Sequence, residues 1–112
     1  MNIPLHVEVA VSLGWTDIKE SGTAFTGVDP QTGTEKLVPR FDRWCFCGPL
    51  VDAYKISITK DEYYEASPGW YAFPAFAESR GVSNHRGAGK SATEAVCRLI
   101  VDLHRSGRLK AA

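Results

Sequence analysis

The residues of this chain best suited to chemistry are five in a row, Gly87-Ala88-Gly89-Lys90-Ser91, placed where a helix should begin. A glycine-rich turn before a helix leaves backbone amides free to cradle phosphate, with a lysine and a hydroxyl to complete the site. The complete P-loop also needs a glycine five residues before Gly89, and that position is Asn84. No buried apolar strand runs directly into the motif either, so nucleotide hydrolysis is not expected. A weaker expectation survives. Arg80, Arg86, Lys90 and Ser91 surround a helix N-terminus, whose dipole favours any anion.

The cysteines come next. There are 3, Cys45, Cys47 and Cys97, and an odd number with no secretory signal points to reduced thiols. On extended chain Cys45 and Cys47 would share a face and could start a metal pair. Zinc would need two further ligands from His6, His85, His104 and Cys97, none at the usual spacings, so neither metal nor other cofactor is expected. Cys47, His85 and Asp52 could be cast as nucleophile, base and orienting acid, but nothing in the sequence brings them together. The simpler reading makes His85 a loop residue and His104 a helix-end cation. No enzyme is expected.

Binding is the better prospect. Among 3 tryptophans, 4 tyrosines and 5 phenylalanines, Trp15, Trp70 and Phe73 are expected in the core, where aromatic area counts most. Trp44 follows Arg43 on a segment with no clean periodicity to demand its burial. Trp and Arg are residue types that carry binding hot spots, so Arg43 and Trp44 are the expected partner-binding pair.

These residues must be held by ordinary globular structure. With 112 residues, 44% hydrophobic and 23% charged, the chain is read as one domain with a real core. Its 13 basic and 13 acidic residues cancel, which argues against a general nucleic-acid binder. No apolar run is long enough for a bilayer and no signal core opens the chain, so no membrane partner is expected and the location expected is the cytosol.

The clearest element is residues 91–107. Ser91 and Glu94 form a capping box, and Ala92, Ala95, Val96, Leu99, Ile100 and Leu103 make an apolar stripe. Glu94, Arg98 and Asp102 line the other side with alternating charge, and Gly107 suits the stop. Residues 3–13 are ambiguous, since period-2 alternation reads as a strand while Pro4 and Gly14 suit the two ends of a helix. Residues 15–19 and 24–28 read as a hairpin, and 29–34 as a turn, with a few extended residues near Leu37 and Val38. That whole excursion is expected to be mobile and without chemistry of its own. Asp42 could cap a turn containing Arg43 and Trp44, and Gly48-Pro49 is expected to start a short helix with Pro49 in its first turn. Ile56 and Ile58 mark a strand, residues 70–76 another that Pro74 cuts short or confines to an edge, and 78–90 a loop.

The order of these features resembles small phage proteins of the NinX-like group and the related phage α-β-α sandwich domain. The pieces that carry the likeness are Leu13-Gly14-Trp15, Gly48-Pro49-Leu50-Val51-Asp52 with Ile56-Ser57-Ile58, Trp70-Tyr71-Ala72, and the helix opening Ser91-Ala92-Thr93-Glu94-Ala95-Val96-Cys97-Arg98. The resemblance implies a helix before Leu13-Gly14-Trp15, a phage or prophage origin, and no established enzymatic activity. The expected fold is therefore α+β: a mainly antiparallel sheet packed with N-terminal and C-terminal helices and a short central helix. The expected function is a non-enzymatic accessory protein that binds a host or phage protein in the host cytosol, one class being modulators of host defence. The alternative is a small-molecule or nucleotide-binding protein that uses the loop before the last helix.

Overall fold

The computed structural model describes residues 3–60, 69–74 and 86–107. In chain order these form α1 (Leu5–Ser12), β1 (Thr16–Ser21), β2 (Ala24–Val28), β3 (Glu35–Leu37), α2 (Trp44–Ala53), β4 (Ile56–Lys60), β5 (Trp70–Pro74), β6 (Gly87–Gly89) and α3 (Ala92–Arg105). The class is α+β, with helices at both ends and in the middle. The strands divide into two antiparallel sheets, β1-β2-β3 and β4-β5-β6, where a single sheet is the simpler reading.

Helix α3 is the centre of the molecule because its stripe is wide. Ala95, Val96, Leu99, Ile100 and Leu103 are buried as their spacing requires, and Cys97 and Val101 extend the apolar face. One side meets α1, another meets β4, β5 and β6, and a third meets α2. Leu99, Ile100 and Val96 are among the largest fully buried side chains. At its start the Ser91 hydroxyl accepts the Glu94 amide at 3.2 Å. The Glu94 carboxylate reaches back one residue further than a capping box requires and accepts the Lys90 amide at 3.2 Å. It also takes two bonds from Arg98, at 3.2 and 3.0 Å.

Within the ambiguous segment, Leu5–Ser12 is helix, in agreement with the resemblance and against the alternation. Pro4 occupies the N-cap position, its carbonyl accepting the Val7 and Glu8 amides, and Gly14 leaves the helix with φ +101°. The apolar residues are spread round this helix, and α3 is its main partner. His6 meets Phe25 of β2 edge to face at 6.0 Å. Val7, Val9 and Ala10 are buried, while Ile3 and Val11 stay exposed, so these two do not belong to the covered face.

The hairpin of residues 15–28 forms as expected, and β3 adds a third strand beside β2. This part is tied down where a mobile excursion is the sequence expectation: Trp15 and Val38 join the buried core, and the Val38 amide donates to the Phe25 carbonyl at 2.8 Å.

Two local expectations are corrected by the path of the backbone. Helix α2 begins at Trp44, so Pro49 lies in its interior and not in its first turn. Proline there removes one bond to the Cys45 carbonyl, and Cys45 is exposed, so water can take that bond's place. The second concerns 78–90, where a loop is expected and Gly87–Gly89 form β6 on the edge of the second sheet. Glycine permits this. A Cβ on Gly87 would overlap the Ala95 carbonyl and the Leu99 amide, and one on Gly89 would stand 2.7 Å from the Glu94 Cβ. Strand β6 thus lies directly on the backbone of α3.

Candidate functional site

Which face could act on another molecule is decided by what α2 leaves uncovered. Its buried residues are Cys47 and Leu50. Arg43, Trp44, Cys45 and Phe46 stand exposed in succession at its start, Trp44 at 55% and Phe46 at 43%. Trp44 and Phe46 are two positions apart on the helix and so lie on nearly opposite sides, Trp44 being the more exposed. Trp44 lies along its own helix one turn before Gly48, where an added Cβ would stand 3.6 Å from the indole Nε1. That is an ordinary contact distance, so the indole lies beside Gly48 without depending on its lack of a side chain.

Local chemistry sets the edge of this patch. Arg43 is the N-cap residue, with extended backbone and no side-chain cap. Asp42 does not cap the turn. Its two carboxylate oxygens are taken by Arg40 Nε and Nη2 at 2.8 and 2.7 Å, which holds the Asp42 carboxyl below its usual range. Arg43 keeps its charge at the edge of the patch. Phe46 is also exposed, but two positions further along the helix it lies on nearly the opposite side from Trp44 and does not extend that patch.

The anion-attracting set does not gather at one point. Ser91 spends its hydroxyl on the cap, and Glu94 already brings a carboxylate to the Lys90 amide. Arg86 and Lys90 flank β6 at opposite ends, about 13 Å apart at strand rise. Arg86 stacks its guanidinium 5.4 Å from the Tyr71 ring centre. It lines a groove of about 390 Å³ with Arg98 and Arg105, where Glu8 and Asp102 supply opposite charge. Arg98 is paired with Glu94 at 3.0 Å and Arg105 with Glu8 at 3.5 Å. Arg80 lies outside the described residues, as does His85.

The thiols separate. Cys45 and Cys47 lie on a helix and not on extended chain, so one faces water and the other the core, and they share no face for a metal. The buried Cys97 thiol donates to the Phe41 carbonyl at 3.2 Å. Its contact with Cys47, together with burial, pushes the Cys97 thiol well above its ordinary range, so it stays protonated. Asp52, the third member of the conceivable triad, is exposed on α2 while Cys47 is buried. Trp15 is a core residue as expected, whereas Trp70 and Phe73 are half-buried.

Among the described residues no group of three His, Cys, Asp or Glu side chains is placed to hold a metal ion. Nor is any described helix long and apolar enough to cross a membrane. Compared with protein-family models, with curated proteins and with solved structures, the chain matches none of them.

Proposed function

We propose that this protein works by binding another protein through the first turn of α2, with no chemistry of its own. The observation that carries the reading is the exposed Arg43-Trp44 pair at the start of α2, in which Trp44 is 55% accessible. An aromatic anchor pre-ordered on a helix loses little conformational freedom on docking, and an arginine at the edge adds orientation. With the resemblance to small phage proteins, such a module is read as an accessory protein of a phage or prophage that acts in the host cytosol on a host or phage protein. Modulation of host defence is one task that fits a small, neutral binder. What supports a protein over an anion as the partner is the state of the corner at Ser91, where the domain's own Glu94 carboxylate takes the place an external anion would occupy.

The test is differential. Capture from host lysate with the intact protein should retain a partner that Trp44→Ala loses by about 2 kcal/mol or more of affinity. A double change of Arg86 and Lys90 to Ala should leave that binding intact. If the double change abolishes function while Trp44→Ala is silent, the anion-binding alternative takes over. If Trp44→Ala unfolds the domain, the indole is structural and the reading fails.

A further inference from the structure

A second concave surface lies behind α2, away from the aromatic run. It is a groove of about 440 Å³, within the range of small-molecule sites. Trp15, Phe41 and Tyr54 line it, and they come from three separate parts of the chain. Among the described residues, Asp29 is the one charged residue on its wall, and no lysine or arginine lines it.

The parts are fixed before any ligand arrives. The Trp15 amide donates to the Ala10 carbonyl at 3.0 Å, and Trp15 and Phe41 are both buried members of the core. Asp29 sits in a closed turn: its amide donates to the Thr34 carbonyl at 3.0 Å, and its Oδ1 accepts the Gln31 amide at 2.9 Å. Pro30 stands near Gly14, where an added Cβ would be 3.5 Å from it, which holds this turn beside the end of α1. The other carboxylate oxygen, Oδ2, is engaged only loosely by Lys36, at 3.8 Å, and the lysine side chain is half exposed.

Three aromatic side chains among a mostly apolar lining, Trp15 and Phe41 largely buried and Tyr54 half-buried, with a single carboxylate suit one kind of ligand. Ring faces carry negative potential and attract a cation that is poorly hydrated, and a nearby carboxylate supplies the net charge. A strongly hydrated ammonium or metal ion would lose too much water here, whereas methylated nitrogen presents apolar surface to the rings. The geometry points to a binding site for a small free quaternary ammonium compound in the groove of Trp15, Phe41, Tyr54 and Asp29. This site is separate from the protein-binding face and stands or falls without it.

The probes are choline and phenyltrimethylammonium, with 3,3-dimethyl-1-butanol as the uncharged isostere of choline. Titration is followed on the three indole N–H resonances, which Trp→Phe variants assign. The cations should move the Trp15 resonance and leave Trp44 and Trp70 in place, with Kd of about 0.1–1 mM. Asp29→Asn keeps the oxygen that accepts the Gln31 amide but removes the charge, and should weaken the cations by roughly tenfold. Tyr54→Ala should weaken them by at least about threefold. Lys36→Ala removes the internal competitor and should tighten them. The site is refuted if no cation moves the Trp15 resonance below about 10 mM, if the neutral isostere binds as well as choline, or if Asp29→Asn and Lys36→Ala both leave affinity unchanged.

Discussion

A helical backbone turns about 100° per residue, so two positions apart means nearly opposite sides. That is why Cys45 and Cys47 have different fates, one exposed and one buried. The buried pair Cys47 and Cys97 keeps both thiols from reagents, and the raised Cys97 leaves little thiolate there in any case. We expect a thiol-specific reagent to titrate a single cysteine, Cys45, in the native protein and all three after unfolding. Two fast-reacting native thiols would contradict the packing of α2 on α3. The same turn geometry explains what could be read of the binding face and what could not. Arg43 and Trp44 stood out by residue type alone, and the helix starting at Trp44 turns the exposed Phe46 to nearly the opposite side. Nothing in the sequence joins Trp15, Phe41 and Tyr54, because 39 positions separate the first from the last and only the fold brings them to one groove.

Elements differ in how openly they advertise themselves. Helix α3 was fully legible, since its stripe, its Ser91 cap and its charged side all agree on one conformation. Leu99 is fully buried at its centre, so Leu99→Ala should cost about 2–5 kcal/mol. Arg98 is exposed and its pair with Glu94 lies at the surface, so Arg98→Ala should cost under about 0.5 kcal/mol. Chemical denaturation of the two variants checks this, and equal losses would mean that the stripe does not face the core. Helix α1 was illegible from periodicity because its apolar residues are not confined to one stripe: Val7, Val9 and Ala10 are buried while Val11 is exposed. Strand β6 was illegible for a different reason. Glycines are poor strand formers, and these two are chosen for their lack of bulk against α3 and not for any strand preference. A phosphate loop and a close strand–helix contact ask for the same residue, which is why the motif at 87–91 can suggest the wrong chemistry.

At the scale of the whole molecule, the α+β class followed from the mixture of periods, but the division into two sheets did not. Each strand is compatible with either sheet until the long-range pairings are known, as in the register of Ile56 with Pro74. Stability against acid is also a property of the assembled domain, because it rests on groups brought together from α1 and the segment before α2. Burial first, and Arg40 second, lower the pKa of His6 below its ordinary 6.5. The unfolded chain therefore binds a proton that the folded protein resists, and stability held above pH 6.5 declines as pH falls through the folded value. Asp42, held low by Arg40, adds a second loss only below the ordinary carboxylate range. Melting temperature should thus begin to fall below about pH 6.5, before carboxylates titrate. His6→Gln should flatten that first decline and leave the second. An unchanged profile in the variant would mean that His6 is as free in the folded domain as in the unfolded chain.

The central place of α3 also has a consequence for how the protein is made. Synthesis runs from the N-terminus, so the residues that α3 must cover leave the ribosome before it does. Until Ala92–Arg105 emerge, α1 lacks its main partner and β6 has no helix backbone to lie on. The faces of α1 and α2 that meet α3 thus stay uncovered on the nascent chain until Ala92–Arg105 emerge, exposed to chaperones and proteases.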